Sequence, residues 1–328
     1  MTGLSLGVRI AMLVSAFGVA WSTSPARADQ PAGAGRIGVL APPPTRLPLG
    51  QGLREGLREL GYAEGSTISF KWRSPGESDT ELRAAANAFA RARVDLVVTL
   101  TTPATHAVLE ATTVPVVFVT GDPVAAGLVA SLARPGGRAT GVSVLTTELS
   151  AKRLEFLRLA APKARRIAHL VNLANPNNAW QVESALRAGQ ALGVQVVTVD
   201  VHKAGRVDAA LAQLPGTEAS AVLVASEVIF LANRAKIARA LLETKLPAIF
   251  PSTQYHDQDV LVSYGPNLEQ AMRRVAVFVD KILKGASPAD LPIEQVSEYE
   301  LVINARVARS IGLQLQQDLL LRATEVIR

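Results

Sequence analysis

The chain has 328 residues, contains no cysteine and carries a formal charge of +6 at pH 7. Without cysteine it can form neither disulfide bonds nor thiolate metal sites, and it has neither a cysteine nucleophile nor a cysteine that could carry a lipid. Because 48% of the residues are hydrophobic, the composition is typical of a globular protein, and the length allows about two domains.

Residues 1–28 have the pattern of a secretory signal peptide. Arg9 precedes an apolar run, Ile10 to Trp21, and Ala26-Arg27-Ala28 offers a small-x-small cleavage site. The run is shorter than the roughly 20 apolar residues that a membrane span needs. We therefore predict cleavage after Ala28 and a mature protein that leaves the cytoplasm and does not span the membrane.

The mature chain is only mildly basic, because removing Arg9 and Arg27 lowers the formal charge from +6 to +4. Its basic residues mostly alternate with acidic ones along predicted helices, as in Arg54 and Glu55 followed by Arg58. Such alternation is typical of solvated helix faces, so no nucleic-acid partner is predicted.

Strands and helices alternate in the first half of the mature chain, which predicts an α/β lobe with a parallel sheet. We predict strands at 36–41, 67–73, 94–100, 115–119 and 140–144. Helices are predicted between them at 50–60, 79–92, 103–111 and 123–133.

Three glycines, Gly50, Gly52 and Gly56, open the first predicted helix with a spacing that resembles a dinucleotide-binding fingerprint. In that fingerprint the glycines occupy the turn directly after the strand, whereas here several loop residues intervene. The glycines are therefore interpreted as a helix-packing surface, and no cofactor is predicted.

Polar residues follow two adjacent strands of this lobe, at the strand ends where open parallel sheets bind small ligands. Thr101 and Thr102 precede Pro103, which suits the first position of a helix with Thr102 as its N-cap. These threonines either hold a ligand carboxylate or only cap the helix. Thr120 and Asp122 end the next strand, and Asp122 either binds a ligand ammonium or caps a helix beginning at Pro123.

The same design returns in a second lobe, where Leu246 to Phe250 repeats the pattern of Val114 to Phe118. We predict strands at 166–171, 195–199, 219–225, 247–250 and 260–264, with helices at 149–160, 178–192, 207–214 and 230–243. Two copies of one α/β unit predict two similar lobes whose strand ends face a shared cleft.

Candidate ligand-binding residues of the second lobe also follow its strands. Asn172 follows the first strand, and Ser226 and Glu227 follow a central one. Glu227 either binds a ligand ammonium or is a solvated loop residue. Ser252 and Tyr264 are predicted near the cleft mouth or hinge, where Tyr264, like Tyr255, could stack on a ligand ring or pack in the core.

The last predicted helix and strand are not followed by further strands and helices with which they could form a lobe. The helix at 267–283 and the strand at 301–303 are therefore assigned to the first lobe, which gives lobe 1 as 29–145 plus 266–328 and lobe 2 as 146–265. The chain would then cross between the lobes about three times and form a hinge.

The residue types that enzymes need are not grouped in this sequence. The four histidines are scattered and belong to no metal-binding motif, and no G-x-S-x-G elbow occurs. We predict no catalytic residue, no metal site and no enzymatic activity. The four histidines are His106, His169, His202 and His256.

Several short motifs occur in order along the whole mature chain and resemble one family. They are Arg36-Ile-Gly-Val-Leu40, Gly56-Leu-Arg-Glu-Leu-Gly-Tyr62, Asp122-Pro-Val124, Leu132-Ala-Arg-Pro-Gly-Gly137 with Thr140-Gly-Val142, Ser263-Tyr-Gly-Pro-Asn267, Val279-Asp-Lys-Ile-Leu-Lys-Gly285, Ala289-Asp-Leu-Pro292 and Glu300-Leu-Val-Ile-Asn304. The chain resembles the ABC-transporter substrate-binding family that includes tryptophan- and tyrosine-binding lipoproteins.

This resemblance implies a type I periplasmic binding protein with two Rossmann-like lobes, a three-crossover hinge and a ligand trapped in the cleft. It implies delivery of an amino acid or related small carboxylate to an ABC transporter permease. Gram-positive members carry a lipobox cysteine, and its absence here implies a freely diffusing protein of the periplasm. A ligand sensor for a receptor kinase is the main alternative, and a periplasmic hydrolase would lack its catalytic parts. A LacI-like effector lobe would need a helix-turn-helix where the signal peptide lies.

Overall fold

The computed structural model describes residues 35–41, 46–75, 78–144, 146–175, 177–204, 206–256 and 258–328. The predicted signal peptide and the proline-rich loop after the first strand lie outside these ranges. Within them, none of the helices combines the length and the apolar character that crossing a membrane requires.

Strands and helices alternate along most of the described chain. The strands are β1 (Gly35–Leu40), β2 (Ile68–Arg73), β3 (Leu96–Leu100), β4 (Val116–Thr120), β5 (Ala139–Ser143), β6 (Arg166–Val171), β7 (Gln195–Asp200), β8 (Ala221–Val224), β9 (Ala248–Phe250), β10 (Val262–Pro266), β11 (Glu294–Gln295), β12 (Tyr299–Asn304) and β13 (Glu325–Ile327). The helices are α1 (Arg46–Glu59), α2 (Asp79–Ala92), α3 (Thr102–Ala111), α4 (Thr146–Ala160), α5 (Asn177–Leu192), α6 (Val201–Ala204), α7 (Val207–Gln213), α8 (Val228–Ala232), α9 (Arg234–Glu243), α10 (Leu268–Leu283), α11 (Ala305–Ser310) and α12 (Gln317–Arg322).

The described strands form two separate sheets, one in each lobe. The first has the order β11-β5-β4-β3-β1-β2, and the second has the order β13-β12-β10-β9-β8-β6-β7. Neighbouring strands are parallel except for β10 and β12. This is the predicted α/β fold of two Rossmann-like lobes.

The centre of the first sheet is covered on both faces, which explains the uninterrupted apolar sequence of β3 and β4. Val98 packs in a cluster with residues of α1 and α10, whereas the adjacent Val97 packs with residues of α2 and α3 on the opposite face. Both valines are fully buried. Burial of each such side chain contributes roughly 1.5–3 kcal/mol.

The strand predicted at 301–303 lies in the second sheet, so its assignment to the first lobe is wrong. It forms the centre of β12, which pairs antiparallel with β10, for example Ser263 with Val302. The helix predicted at 267–283 does return to the first lobe, since α10 packs on α1, and the short strand β11 pairs there with β5. The chain therefore passes between the sheets after β5, after β10 and between β11 and β12.

Two of the three glycines in α1 allow this helix to approach α10 closely. A Cβ on Gly52 would lie 2.6 Å from the carbonyl oxygen of Glu269, and a Cβ on Gly56 would lie 2.7 Å from the Cβ of Ala276. Both distances are shorter than van der Waals contact, so only glycine fits. The helix-packing interpretation of these glycines is confirmed.

Three local predictions are wrong. Residues 123–133 form turns and not a helix, because Gly127 adopts a positive φ of 69° that ends any helix there. The helix predicted at 230–243 is divided at Asn233 into α8 and α9. The N-cap of α3 is Thr101 and not Thr102, since the Thr101 hydroxyl accepts a hydrogen bond from the Ala104 N–H.

Candidate ligand-binding site

A cavity of about 180 Å³ lies between the two lobes, where strand ends of both sheets meet. The first lobe lines it mainly with residues at the ends of β3 and β4, and the second lobe lines it mainly with residues that follow β8 and β9. The lining residues are Leu100, Thr101, Thr102, Pro103, Val119, Thr120, Gly121, Val144, Asn175, Ser226, Glu227, Val228, Leu231, Pro251, Ser252, Gln254, Tyr255, Pro266 and Leu268.

The polar groups of the first-lobe wall are threonine hydroxyls at the start of α3 and at the end of β4. Thr101 caps this helix, and the hydroxyls of Thr102 and Thr120 lie 2.5 Å apart, which fixes the ends of β3 and β4 relative to each other. The N-terminus of α3 brings the positive end of its helix dipole to the cavity. This wall therefore offers N–H and hydroxyl donors to an anionic group.

The second-lobe wall is organised around the carboxylate of Glu227. The side-chain amide of Asn175 donates to Glu227 Oε1 at 2.5 Å, and that of Asn172 donates to Oε2 at 3.1 Å. Each oxygen is thus held by an amide donor, which fixes the orientation of the carboxylate. Glu227 is therefore held in one position at the cavity wall.

A buried glutamine supports this carboxylate from behind. Gln181 on α5 is 1% exposed, and its side-chain carbonyl accepts a hydrogen bond from the Ser226 N–H at 3.0 Å. Its side-chain amide donates to Asn178 Oδ1 on the same helix. The backbone of Ser226, and with it the start of Glu227, is fixed to α5.

The structure brings six of the nine predicted site residues to the cavity. These six are Thr101, Thr102, Thr120, Ser226, Glu227 and Ser252. Asn172 does not line the cavity. Its side-chain amide donates a hydrogen bond to Glu227, which does line it.

The other two predicted site residues lie elsewhere. Asp122 accepts hydrogen bonds from the N–H groups of Val124 and Ala125 at 3.0 Å, so it caps the turn after β4. Tyr264 packs its ring against Phe156 at 4.8 Å, outside the cavity lining.

Asn175 and Gln254 line the cavity but are not predicted from the sequence, and Tyr255, which could either stack on a ligand ring or pack in the core, lines it as well. Asn175 belongs to an asparagine-rich segment, in which Asn172 lies nearer the end of the preceding strand. Gln254 and Tyr255 lie in the 3₁₀ helix Thr253–Tyr255, which no sequence pattern predicted. Their position directly after β9 was the available signal, because residues at that point of a parallel sheet face the ligand.

Glu227 is the charged residue in the part of the cavity lining that the structure describes, where the remaining side chains are apolar or neutral polar. A carboxylate at the wall of a ligand cavity favours a ligand that carries a positive charge.

A buried arginine lies behind the second-lobe wall. Arg153 on α4 has no exposed surface; its Nε donates to the Tyr264 carbonyl at 2.8 Å and its Nη2 donates to the Pro251 carbonyl at 3.0 Å. Burial lowers the pKa of Arg153 from 12.5 to about 10, so the guanidinium is still charged at neutral pH. Arg153 thereby connects a cavity residue, Pro251, with the strand β10 that leads to the second crossover.

The fold agrees with a family comparison. The family model described as "ABC transporter substrate binding protein" matches residues 37–327. The chain belongs to this family. The match confirms the resemblance that the sequence motifs indicated.

Relatives of known description support the family assignment. The tyrosine-binding protein of Clostridioides difficile (strain R20291) is 25% identical over 267 residues, which are 80% of this chain and 76% of that protein. The crystal structure of a conserved domain protein from Vibrio cholerae is 25% identical and has a TM-score of 0.83, covering 90% of this chain and all of that one. An ABC domain from Streptococcus pneumonia in complex with L-Trp shares the fold, with a TM-score of 0.82, 24% identity and the same coverage.

Proposed function

We propose that this substrate-binding protein binds an amino acid in the interlobe cavity and delivers it to an ABC importer. The observation that carries the proposal is Glu227, a carboxylate held in place by Asn172 and Asn175 at the cavity wall. The amino acids named for its relatives, tyrosine and L-Trp, support the same class of ligand.

The two walls suit the two charges of a zwitterion. Glu227 would accept hydrogen bonds from the ligand ammonium, and the donors of Thr101 and Thr102 at the start of α3 would face the ligand carboxylate. A charge near a helix end gains typically about 0.3–1 kcal/mol. Loss of one partner from a buried charge pair costs about 2–5 kcal/mol, so Glu227 is expected to contribute more.

The size and apolar walls of the cavity favour a compact hydrophobic side chain. An engineered cavity of about 150 Å³ is large enough to bind benzene, and this cavity measures about 180 Å³. Val119, Val144, Val228 and Leu231 provide apolar surface beside the polar groups. An aromatic or branched amino acid would fill such a space.

The first test is calorimetry with matched ligands on the mature chain. L-tyrosine, L-tryptophan and L-phenylalanine are compared with the corresponding 3-arylpropionates, which lack only the amine. We expect the amino acids to bind at least roughly 30-fold more tightly, since a lost buried charge partner costs 2 kcal/mol or more. Equal affinity for the amine-free acids would show that Glu227 does not bind the ammonium group of the ligand.

The variant Glu227→Gln examines the same interaction from the protein side. It removes the charge at nearly constant size, and we expect it to weaken amino-acid binding by roughly 30-fold or more. Glu183→Gln is the matched control, because Glu183 is exposed on α5 and pairs only with Arg187 among the described residues. Its affinity should equal that of the wild-type protein.

Delivery to a permease and a periplasmic location are proposed from family membership together with the predicted signal peptide. If both hold, mass spectrometry of the periplasmic fraction should find a chain that begins at Asp29. The ligand-loaded protein should also stimulate ATP hydrolysis by the reconstituted importer. Full-length chain retained in the membrane fraction would contradict the location.

A further inference from the structure

Two neighbouring residues of the cavity wall hold polar atoms that have no partner among the described residues. Gln254 and Tyr255 lie in the 3₁₀ helix Thr253–Tyr255 directly after β9, and both line the cavity. The amide nitrogen of Gln254 and the hydroxyl of Tyr255 are buried without a hydrogen bond, and Tyr255 as a whole is 1% exposed. Buried polar side chains nearly always have a partner, so these two require an explanation.

We propose that Gln254 and Tyr255 form a subsite that recognises a hydroxyl group on the side chain of the ligand. This inference rests on the proposed function, since it concerns the far end of an amino acid bound at Glu227. Such a group would supply the missing partner of both atoms, and binding would end the free-energy penalty of leaving them unpaired.

The hydrogen-bonding capacity of the two atoms selects this chemistry. The Gln254 amide nitrogen only donates, whereas the Tyr255 hydroxyl both donates and accepts. A ligand hydroxyl accepts from Gln254 and donates to Tyr255, which satisfies both. An indole N–H can only donate and would leave Gln254 unpaired. A hydrocarbon side chain satisfies neither.

The hydroxyl of Tyr255 stays protonated in the folded protein. Burial raises the pKa of Tyr255 and the Glu227 carboxylate adds to this shift, whereas Arg153 and Arg234 oppose it. The side chain is therefore a neutral phenol at neutral pH, and its hydroxyl can both donate and accept a hydrogen bond.

The ring of Tyr255 is held in one position by its neighbours, which fixes the position of its hydroxyl group. Its ring packs against Phe250 of β9, with centroids 5.0 Å apart. A hydroxyl on a ring held in this way is preorganised, so a ligand loses little free energy in ordering it. A site built to hydrogen-bond a hydroxyl discriminates strongly against the analogue that lacks it, because its own polar groups are then left unpaired.

The experiment uses two ligand pairs that differ in one hydroxyl, L-tyrosine with L-phenylalanine and L-threonine with L-valine. Isothermal titration calorimetry on the mature chain measures the affinity ratio within each pair. We expect the hydroxylated member of at least one pair to bind tenfold or more tightly. The variant Tyr255→Phe should reduce that ratio toward one, and Gln254→Met should reduce it in part.

Tyr264→Phe is the matched control, since Tyr264 loses the same atom outside the cavity lining. Its ratio should equal that of the wild-type protein. Thermal melting of each variant shows that it is folded. A wild-type ratio of one or less in both pairs, or an unchanged ratio in Tyr255→Phe, overturns the subsite while amino-acid binding stands. If no amino acid binds, the proposed function fails and the subsite fails with it.

Discussion

His169 is a buried histidine that lies outside the cavity lining. It lies at the centre of β6 with no exposed surface, and neither ring nitrogen has a hydrogen-bond partner in the described part of the chain. Burial lowers its pKa from 6.5 to about 3, and the positive charge of Arg153 adds to this shift. The ring is therefore neutral in the folded protein at neutral pH, and it packs as an apolar group.

The lowered pKa predicts a loss of stability in acid. As the pH falls from 6.5 to about 3, the unfolded chain takes up a proton at His169 and the folded chain does not. The free energy of unfolding should fall by up to about 1.4 kcal/mol per pH unit from this group. His169→Leu removes the group, so urea unfolding between pH 7 and pH 4 should show a smaller decrease for the variant. Parallel pH profiles of the two proteins would contradict this prediction.

At the level of single residues, the sequence predicts the parts of the site that follow apolar strands with clear boundaries. Thr101 and Glu227 could be selected because the strands before them are apolar and clearly bounded. Gln254 follows a strand of three residues and lies in a 3₁₀ helix, which has no sequence periodicity to detect. Arg153 could not be predicted as buried, because arginines are mostly exposed.

At the level of helices and strands, the contact of α1 with α10 depends on glycine at two positions one turn apart. Arg273 on α10 reinforces it with ion pairs to Glu55 and Glu59 on α1. These pairs are half-exposed and contribute little each. Close backbone packing at Gly52 and Gly56 is therefore the main determinant of the distance between the helices.

Gly56→Ala should destabilise the protein although alanine is the better helix former by about 1 kcal/mol. The new methyl group would lie 2.7 Å from Ala276 Cβ and 3.1 Å from Arg273 Cα, and neither is a flexible group that can move away. We expect a net loss of about 1–3 kcal/mol, which is typical of an overpacked interface. Gly216→Ala is the control, since a Cβ there meets nothing within 4 Å. Urea unfolding in which both variants are equally stable would exclude a steric role for Gly56.

The predicted elements were accurate where tertiary packing and local sequence agree. The prediction for β6 at 166–171 and for α2 at 79–92 matches the structure residue for residue. The predicted helix at 123–133 failed because Asp-Pro also begins turns. The edge strands β11 and β13 have two and three residues and are defined only by their partners. Such strands carry too little sequence pattern to be predicted.

At the level of the whole molecule, the cavity is mechanically connected to the second crossover. A Cβ on Gly265 in β10 would lie 1.9 Å from the carbonyl oxygen of Pro251, so the crossover strand passes directly against a cavity residue. Arg153 holds the same carbonyl and that of Tyr264. The second-lobe wall and the strand leading out of that lobe should therefore move together.

This connection predicts that ligand binding closes the lobes. Thr102 belongs to the first lobe and Glu227 to the second, so a zwitterion contacts both only when the lobes are close together. A ligand with higher affinity for the closed form shifts the population toward it. Small-angle X-ray scattering should therefore give a smaller radius of gyration in saturating concentrations of the amino acid that binds most tightly in calorimetry.

The variant Glu227→Gln separates closure from a general effect of the added solute. At the same ligand concentration it should retain the radius of the unliganded protein, because the cavity wall of the second lobe has then lost the carboxylate that would hold the ammonium. Gly265→Ala should also change the response, since its methyl group forces β10 away from Pro251. If the wild-type radius is unchanged while calorimetry shows the site saturated, the ligand binds without closure, and delivery must depend on another difference between the free and loaded protein.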